Sequence, residues 1–280
     1  MGVFFHQTPL VRASSTDILA SGANISVMML SPERPLTDFL GPSLLTGEGP
    51  LVVQVHGALR ELILETILLP WQTLSEKDVA ACLKVSKTPV REAIIRLAEE
   101  GLVTVVPKSR TYVAPINLDR FLEGCFVRLQ LESGAARRAA SERTLEDVCN
   151  LKACLARQEA AVAAEDYTAF RHLDEEFHAL IIEAAKLPGV IQVIETAKVE
   201  IDRIRSLKQR LNIRATDRVL AQHRTITAAI ADKNTAKAEE AMQDHLGSIE
   251  NKVWELGENL EFWALFEAIN RERPRYRLSA

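Results

Sequence analysis

The stretch from Leu74 to Ala114 constrains this chain most, because its apolar residues recur first with a helical period and then, past Gly101, with the alternation of strands. Ser75-Glu76-Lys77-Asp78 has the form of a capping box, in which a Ser hydroxyl accepts from a backbone N–H three residues on and the acid reaches back. A helix is therefore predicted from there to about Leu83. Ser86 is the expected N-cap of the next helix, Pro89 is tolerated in its first turn, and Val90, Ile94 and Leu97 form its buried stripe. Gly101 stops it, since glycine reaches the left-handed backbone that ends helices. Leu102–Val106 and Thr111–Ala114 are rich in β-branched residues and flank Pro107-Lys108-Ser109-Arg110, which predicts a short hairpin with a basic tip. Upstream, Val55, Leu59, Leu62 and Ile63 fall at helical spacing and give a first helix that ends before Pro70. Three short helices and a hairpin make the plan of a winged helix-turn-helix, whose second motif helix enters the major groove of DNA.

The formal net charge is -4, which by itself argues against a polyanionic partner. Locally the balance reverses: between positions 84 and 96, Lys84, Lys87, Arg91 and Arg96 stand against Glu92 alone. Lys87, Thr88 and Arg91 fall near the N-terminus of the third helix, where a recognition helix meets base edges, and an arginine fork matches guanine O6 and N7. A solvated cationic face has the same spacing, and the basic hairpin tip is what favours double-stranded DNA.

At 280 residues, 47% hydrophobic and 26% charged, the chain has material for two domains with buried cores. Residues 1–50 hold five prolines and little periodicity, and read as a flexible N-terminal extension. Residues 51–115 are the winged helix-turn-helix. Residues 116–257 read as helical with breaks near Thr144, Asp166, Pro188, Ala215 and Asn234, hence six helices in an antiparallel bundle able to enclose a pocket. Residues 258–280 form a tail, with a short helix expected within Glu258–Arg271. The fold class is mostly α. No apolar run reaches the length of a membrane span, and Cys82, Cys125, Cys149 and Cys154 contain no C-x-x-C pair, as expected of reduced thiols in a cytoplasmic protein.

Within the helical part, Phe170, Leu173, Phe177, Ile181 and Ala184 mark a buried stripe, with Asp174 and His178 one turn apart along its edge. Leu220, Thr227 and Ile230 flank His223, and Met242 and Ile249 flank His245. Three helices therefore turn metal-competent groups toward their apolar faces, and such groups need partners because burial without them costs roughly 2 to 7 kcal/mol each. One such histidine is commonly a hydrogen-bonded core residue. Three imidazoles and a carboxylate together suit a divalent ion, Zn or Ni, with positions left open for water or a ligand.

Two longer stretches carry a resemblance. Leu74-Ser75-Glu76-Lys77-Asp78-Val79-Ala80, then Val85-Ser86-Lys87-Thr88-Pro89-Val90-Arg91-Glu92-Ala93 and Arg96-Leu97-Ala98-Glu99-Glu100-Gly101-Leu102-Val103, resemble the signature of the GntR family of bacterial regulators. Arg128-Leu129-Gln130-Leu131-Glu132, Asp174-x-x-x-His178, His223 and His245 resemble in order and spacing the FCD ligand-binding domain of one GntR subfamily. The resemblance implies DNA contacts from Lys77, Lys87, Thr88 and Arg91, with Ser109 and Arg110 at the wing tip. It implies a divalent metal on Asp174, His178, His223 and His245, and a small organic acid beside it. Arg128 would anchor the acid's carboxylate, although an internal ion pair with a nearby Glu would also suit it, and Arg205 is a second candidate. Two positions depart from the pattern: Lys87 stands where members carry Arg, and Arg110 where they carry Gly, which exchanges a planar fork for a point charge and adds a cation at the wing.

The expected function is a homodimeric transcriptional repressor with a carboxylate effector, with no enzymatic activity and no membrane partner. Two rivals remain at this point, a DNA-binding regulator with a purely structural metal and a metal-dependent hydrolase.

Overall fold

The structure, a computed structural model, describes the backbone of residues 32–213, 215–257 and 259–271, and the side chains of the same residues apart from 248–257. The readings made for residues 1–31 and 272–280, and for the side chain of Ile249, lie outside the described residues.

The N-terminal half of the fold has α1 (Leu51–Leu64), α2 (Glu76–Leu83), α3 (Lys87–Glu99), β1 (Val103–Val106) and β2 (Arg110–Val113). Val55, Leu59, Leu62, Ile63, Val79, Leu83, Val90, Ile94, Leu97, Leu102 and Val113 bury themselves in one apolar core, as their spacing predicts. The α2–α3 turn passes through Lys84 with φ 55°, a left-handed residue that ends α2 without a glycine. Ser75 accepts from the Asp78 N–H at 3.4 Å. Ser86 sits at the N-cap of α3 but its side chain makes no capping bond, so the helix starts there without the expected hydroxyl cap. The reciprocal box forms elsewhere, between Thr144 and Asp147. The strands pair antiparallel from Val103↔Val113 to Val106↔Arg110. Residues 71–74 lie along the outer edge of β2: Trp71 N–H donates to Val113 at 2.8 Å and Leu74 N–H to Thr111 at 2.9 Å.

The expectation of a flexible extension does not hold for residues 36–45. Two 3-10 turns, Leu36–Asp38 and Pro42–Leu44, carry Leu36, Phe39, Leu40, Leu44 and Leu45 onto the same core, and Leu40 is buried. Apolar side chains placed once per short turn dock without the periodicity of a long helix, so no repeat marks them in the sequence.

Beyond Asn117, whose side chain caps the first helix by accepting from Arg120 N–H, the chain runs through α4 (Leu118–Glu142), α5 (Leu145–Ala163), α6 (Tyr167–Ala184), α7 (Gly189–Ala197), α8 (Val199–Arg210), α9 (Thr216–Ala231), α10 (Thr235–Gly257) and α11 (Leu260–Asn270). The breaks fall where read, with one more at Lys198. Seven helices therefore replace the six expected between 117 and 257. Neither Gly nor Pro marks that break; Lys198 turns with helical dihedrals and is buried, its Nζ within 3.1 to 3.6 Å of Glu195, Glu175 and Asp202. Among the described residues no helix is long and apolar enough to cross a membrane.

The two halves meet in a third apolar cluster that includes Ile116, Phe121, Ile201, Phe262, Phe266 and Ile269. The connecting backbone is pinned there. Arg203, fully buried, donates to the carbonyls of Ala114 at 2.7 Å and Pro115 at 3.4 Å and pairs with Glu200 at 3.2 Å. Asn270 at the end of α11 exchanges two hydrogen bonds with the backbone of Ile116, at 2.9 and 3.1 Å.

Candidate metal centre and nucleic-acid interface

Helix α6 places Asp174 and His178 one turn apart on its inner face, α9 supplies His223 and α10 supplies His245, all four buried. One ligand atom from each lies within 4.8 Å of all the others. His223 Nε2 is 3.5 Å and His178 Nε2 3.9 Å from Asp174 Oδ1, and the Nε2 atoms of His178 and His245 are 3.2 Å apart. Phe177 stacks on the His223 ring at 4.0 Å and closes that side.

The outer nitrogens explain this convergence. His223 Nδ1 is 2.9 Å from Gln158 Oε1, and Gln158 is itself held by Nε2 donating to the Leu173 carbonyl at 2.9 Å. His245 Nδ1 faces Gln222 Oε1 at 3.2 Å. His178 Nδ1 lies 2.5 Å from Glu132 Oε2, off the direction of a well-formed hydrogen bond. Gln158 and Gln222 thus place the protons of His223 and His245 on Nδ1 and turn those Nε2 lone pairs inward, as ligands of a metal require, and the Glu132 carboxylate stands beside the corresponding nitrogen of His178. Burial pushes the His223 imidazole down to about 3, Asp174 opposing only in part, and burial drives His245 well below its ordinary range, so both are neutral. Burial would raise the Asp174 carboxyl, but the Arg205 guanidinium, 3.1 Å from Oδ2, holds it ionised. Neutral imidazoles and an ionised carboxylate are the protonation states that metal ligation demands. His223 Nε2 is buried with no hydrogen-bond partner. The residues present fit a divalent cation, and Asp174, His178, His223 and His245 would hold it.

A cavity of about 30 Å³ adjoins the cluster, lined by Arg128, Glu132, Asp174, His178, Lys198 and Arg205 among others. Both arginines proposed from sequence are thus beside the cluster. Arg128 pairs internally with Glu132, Nε to Oε1 at 2.6 Å, while its Nη1 is buried without a partner. The ion pair and the anchor are therefore compatible readings of one side chain. Burial would raise Glu132, but Arg128 and His178 hold its carboxyl below the usual range. Gln158, Gln222 and Lys198 were missed in the sequence. Gln158 left a signal, a polar residue on the buried face of α5, whereas Gln222 and Lys198 left none.

In the winged helix-turn-helix Lys77, Lys87, Thr88 and Arg91 are all exposed, on the N-terminal halves of α2 and α3, and Ser109 is exposed at the hairpin tip. Arg110 is half-buried, opens β2 opposite Val106 and lays its guanidinium 4.7 Å over the Tyr112 ring. The left-handed residue of this tip is Lys108, φ 56°, so position 110 needs no glycine.

Residues 51–113 match the model of bacterial regulatory proteins of the gntR family, and residues 123–248 match the FCD domain. The HTH-type transcriptional repressor RspR of Escherichia coli (strain K12) is 32% identical over 214 residues, which are 76% of this chain and 93% of that protein. An uncharacterized HTH-type transcriptional regulator in an unstable DNA locus of Streptomyces ambofaciens is 35% identical over 195 residues, 70% of this chain and 81% of its own. Among solved structures, E. coli McbR/YncC superposes with a TM-score of 0.64 at 20% identity, over 75% of this chain and all of that one. A GntR transcriptional regulator of Rhodococcus sp. RHA1 superposes with a TM-score of 0.62 at 22% identity, over 73% of this chain and 97% of that one.

Proposed function

We propose that this chain, which belongs to the GntR family of bacterial regulatory proteins and carries an FCD domain, represses transcription as a cytoplasmic homodimer whose operator binding is controlled by a small organic acid held beside a divalent metal ion. That it is a DNA-binding transcriptional regulator and not an enzyme follows from the family itself, which removes the hydrolase reading. A two-fold dimer sets two recognition helices in successive major grooves, and this supports a pseudo-palindromic operator. Lys87, Thr88 and Arg91 would meet base edges and phosphates, and Lys77, Ser109 and Arg110 the flanking backbone. The relative named a repressor supports the negative sign of regulation.

The observation that carries the sensing half is the set of three buried imidazoles whose outer nitrogens face Glu132, Gln158 and Gln222 while their inner ones converge with Asp174. Zn and Ni suit this donor set. Arg205 and the unpartnered Nη1 of Arg128 give the adjoining cavity the chemistry for a carboxylate. Its volume of about 30 Å³ means that an acid would have to displace side chains. Effector binding shifts operator affinity only through unequal affinity for the two states, and α8, with Arg205 at the cluster and Arg203 on the connecting backbone, links the two halves.

Thermal unfolding of the full chain against sugar acids, hydroxy acids and dicarboxylates, metal-loaded and chelator-treated, tests the reading. Stabilisation by an acid that disappears with the metal is the expected result. Metal-dependent stability with no acid effective would leave the metal structural, the rival that the small cavity favours.

A further inference from the structure

A side chain near the N-terminus of the recognition helix is held by a partner on the preceding helix. Arg91 is 65% exposed, yet Glu76, the first residue of α2, grips one edge of its guanidinium. Arg91 Nε donates to Oε1 at 3.0 Å and Oε2 at 3.2 Å, and Nη2 donates to Oε2 at 2.9 Å. A guanidinium carries five N–H donors in a planar fork. Glu76 takes the edge made by Nε and Nη2. The edge made by Nη1 and the remaining Nη2 hydrogen is left, and it points outward along the side chain. Those two parallel donors match the O6 and N7 acceptors that guanine displays in the major groove.

Two further points favour a role in recognition over a chance surface pair. An anion at the mouth of a DNA-binding face is repelled by phosphates unless its charge is matched, and Arg91 matches it. A long exposed side chain also loses rotamer freedom when it docks, and one ordered in advance loses less. We propose that Glu76 is a positioning residue for operator recognition: it holds Arg91 by the inner edge and presents the outer edge to a guanine. This rests on the reading of α3 as the recognition helix. The same geometry raises the opposite possibility, that Glu76 masks Arg91 and weakens binding to all DNA alike, and the two differ in what a substitution does.

The probe is a duplex selected from a random library by the full-length parent protein, compared with its single-base variants and an unrelated duplex by fluorescence anisotropy. Glu76→Ala should lower discrimination at one guanine about tenfold, without weakening binding to the unrelated duplex. Arg91→Ala should lower discrimination at the same base, and the double variant should lose little more. Glu76→Asp keeps an acidic first turn on α2 but withdraws the carboxylate by one methylene. It should follow Glu76→Ala, which separates positioning from a loss of helix stability; matching melting curves check the fold. Equal tightening on all duplexes by Glu76→Ala, or unchanged discrimination, would overturn the positioning role while leaving Arg91 as a reader. Unchanged discrimination by Arg91→Ala would overturn both.

Discussion

The Nε2 atoms of His178 and His245 face one another at 3.2 Å in a buried site. Their outer nitrogens lie beside Glu132 and Gln222, which leaves the two inner nitrogens facing the position that a cation would take.

Chelation should therefore lower the melting temperature, and a divalent ion should restore it. Metal at a hundredfold excess over its Kd corresponds to about 2.7 kcal/mol of added stability. His245→Ala should abolish both the bound metal, measured by elemental analysis, and the response to chelator. A variant that keeps a full equivalent of metal would remove His245 from the site.

Acid should destabilise the metal-free protein. Burial holds His223 at about 3 in the fold against 6.5 for a free imidazole, with His245 also well below 6.5. Between those limits the unfolded chain binds more protons than the folded one, so stability falls as pH drops from about 6.5 toward 3, by up to about 1.4 kcal/mol per pH unit for each imidazole. Urea titrations of chelator-treated protein across this range measure the slope, and His223→Gln should make it shallower, leaving the share of His245. A flat profile in the parent would mean that the site is already charged in the fold.

Gly101 has φ 76°, and a Cβ there would lie 1.8 Å from Arg120 Nη1, whose guanidinium donates through Nη2 to the Glu100 carbonyl at 3.0 Å. The Arg120 side chain can swing away, but the left-handed backbone remains. Gly101→Ala should thus cost about 1 to 2 kcal/mol for the backbone and about 1 more for the lost hydrogen bond. Adding Arg120→Ala should cost less than it does in the parent, and strict additivity in denaturant would show that the two residues do not interact.

Asn270 satisfies both backbone groups of buried Ile116, and its own carbonyl accepts from Trp71 Nε1 at 2.7 Å. Asn270→Ala should destabilise by about 1 to 3 kcal/mol. Hydrogen exchange at the Ile116 amide should quicken with it. Unchanged protection there would mean that α11 does not secure the connection between the halves.

Much of this protein was determined by local sequence. The period of Val90, Ile94 and Leu97, the stop at Gly101 and the β-branched runs beyond it set the winged helix-turn-helix, because helix and strand periods and glycine's backbone freedom act within a few residues. Asp174, His178, His223 and His245 stood out because ionisable groups on apolar faces conflict with burial unless they find partners. Tertiary structure alone decided what those groups meet. Residues as distant as Gln158 and His223, Arg203 and Ala114, Asn270 and Ile116, or Glu76 and Arg91 come together only through the packing of whole helices. Hydrogen bonds depend on distances of a few ångströms that no periodicity encodes. The break at Lys198 and the docking of residues 36–45 belong to the same class, since buried contacts hold them in place where no local breaker or repeat marks them.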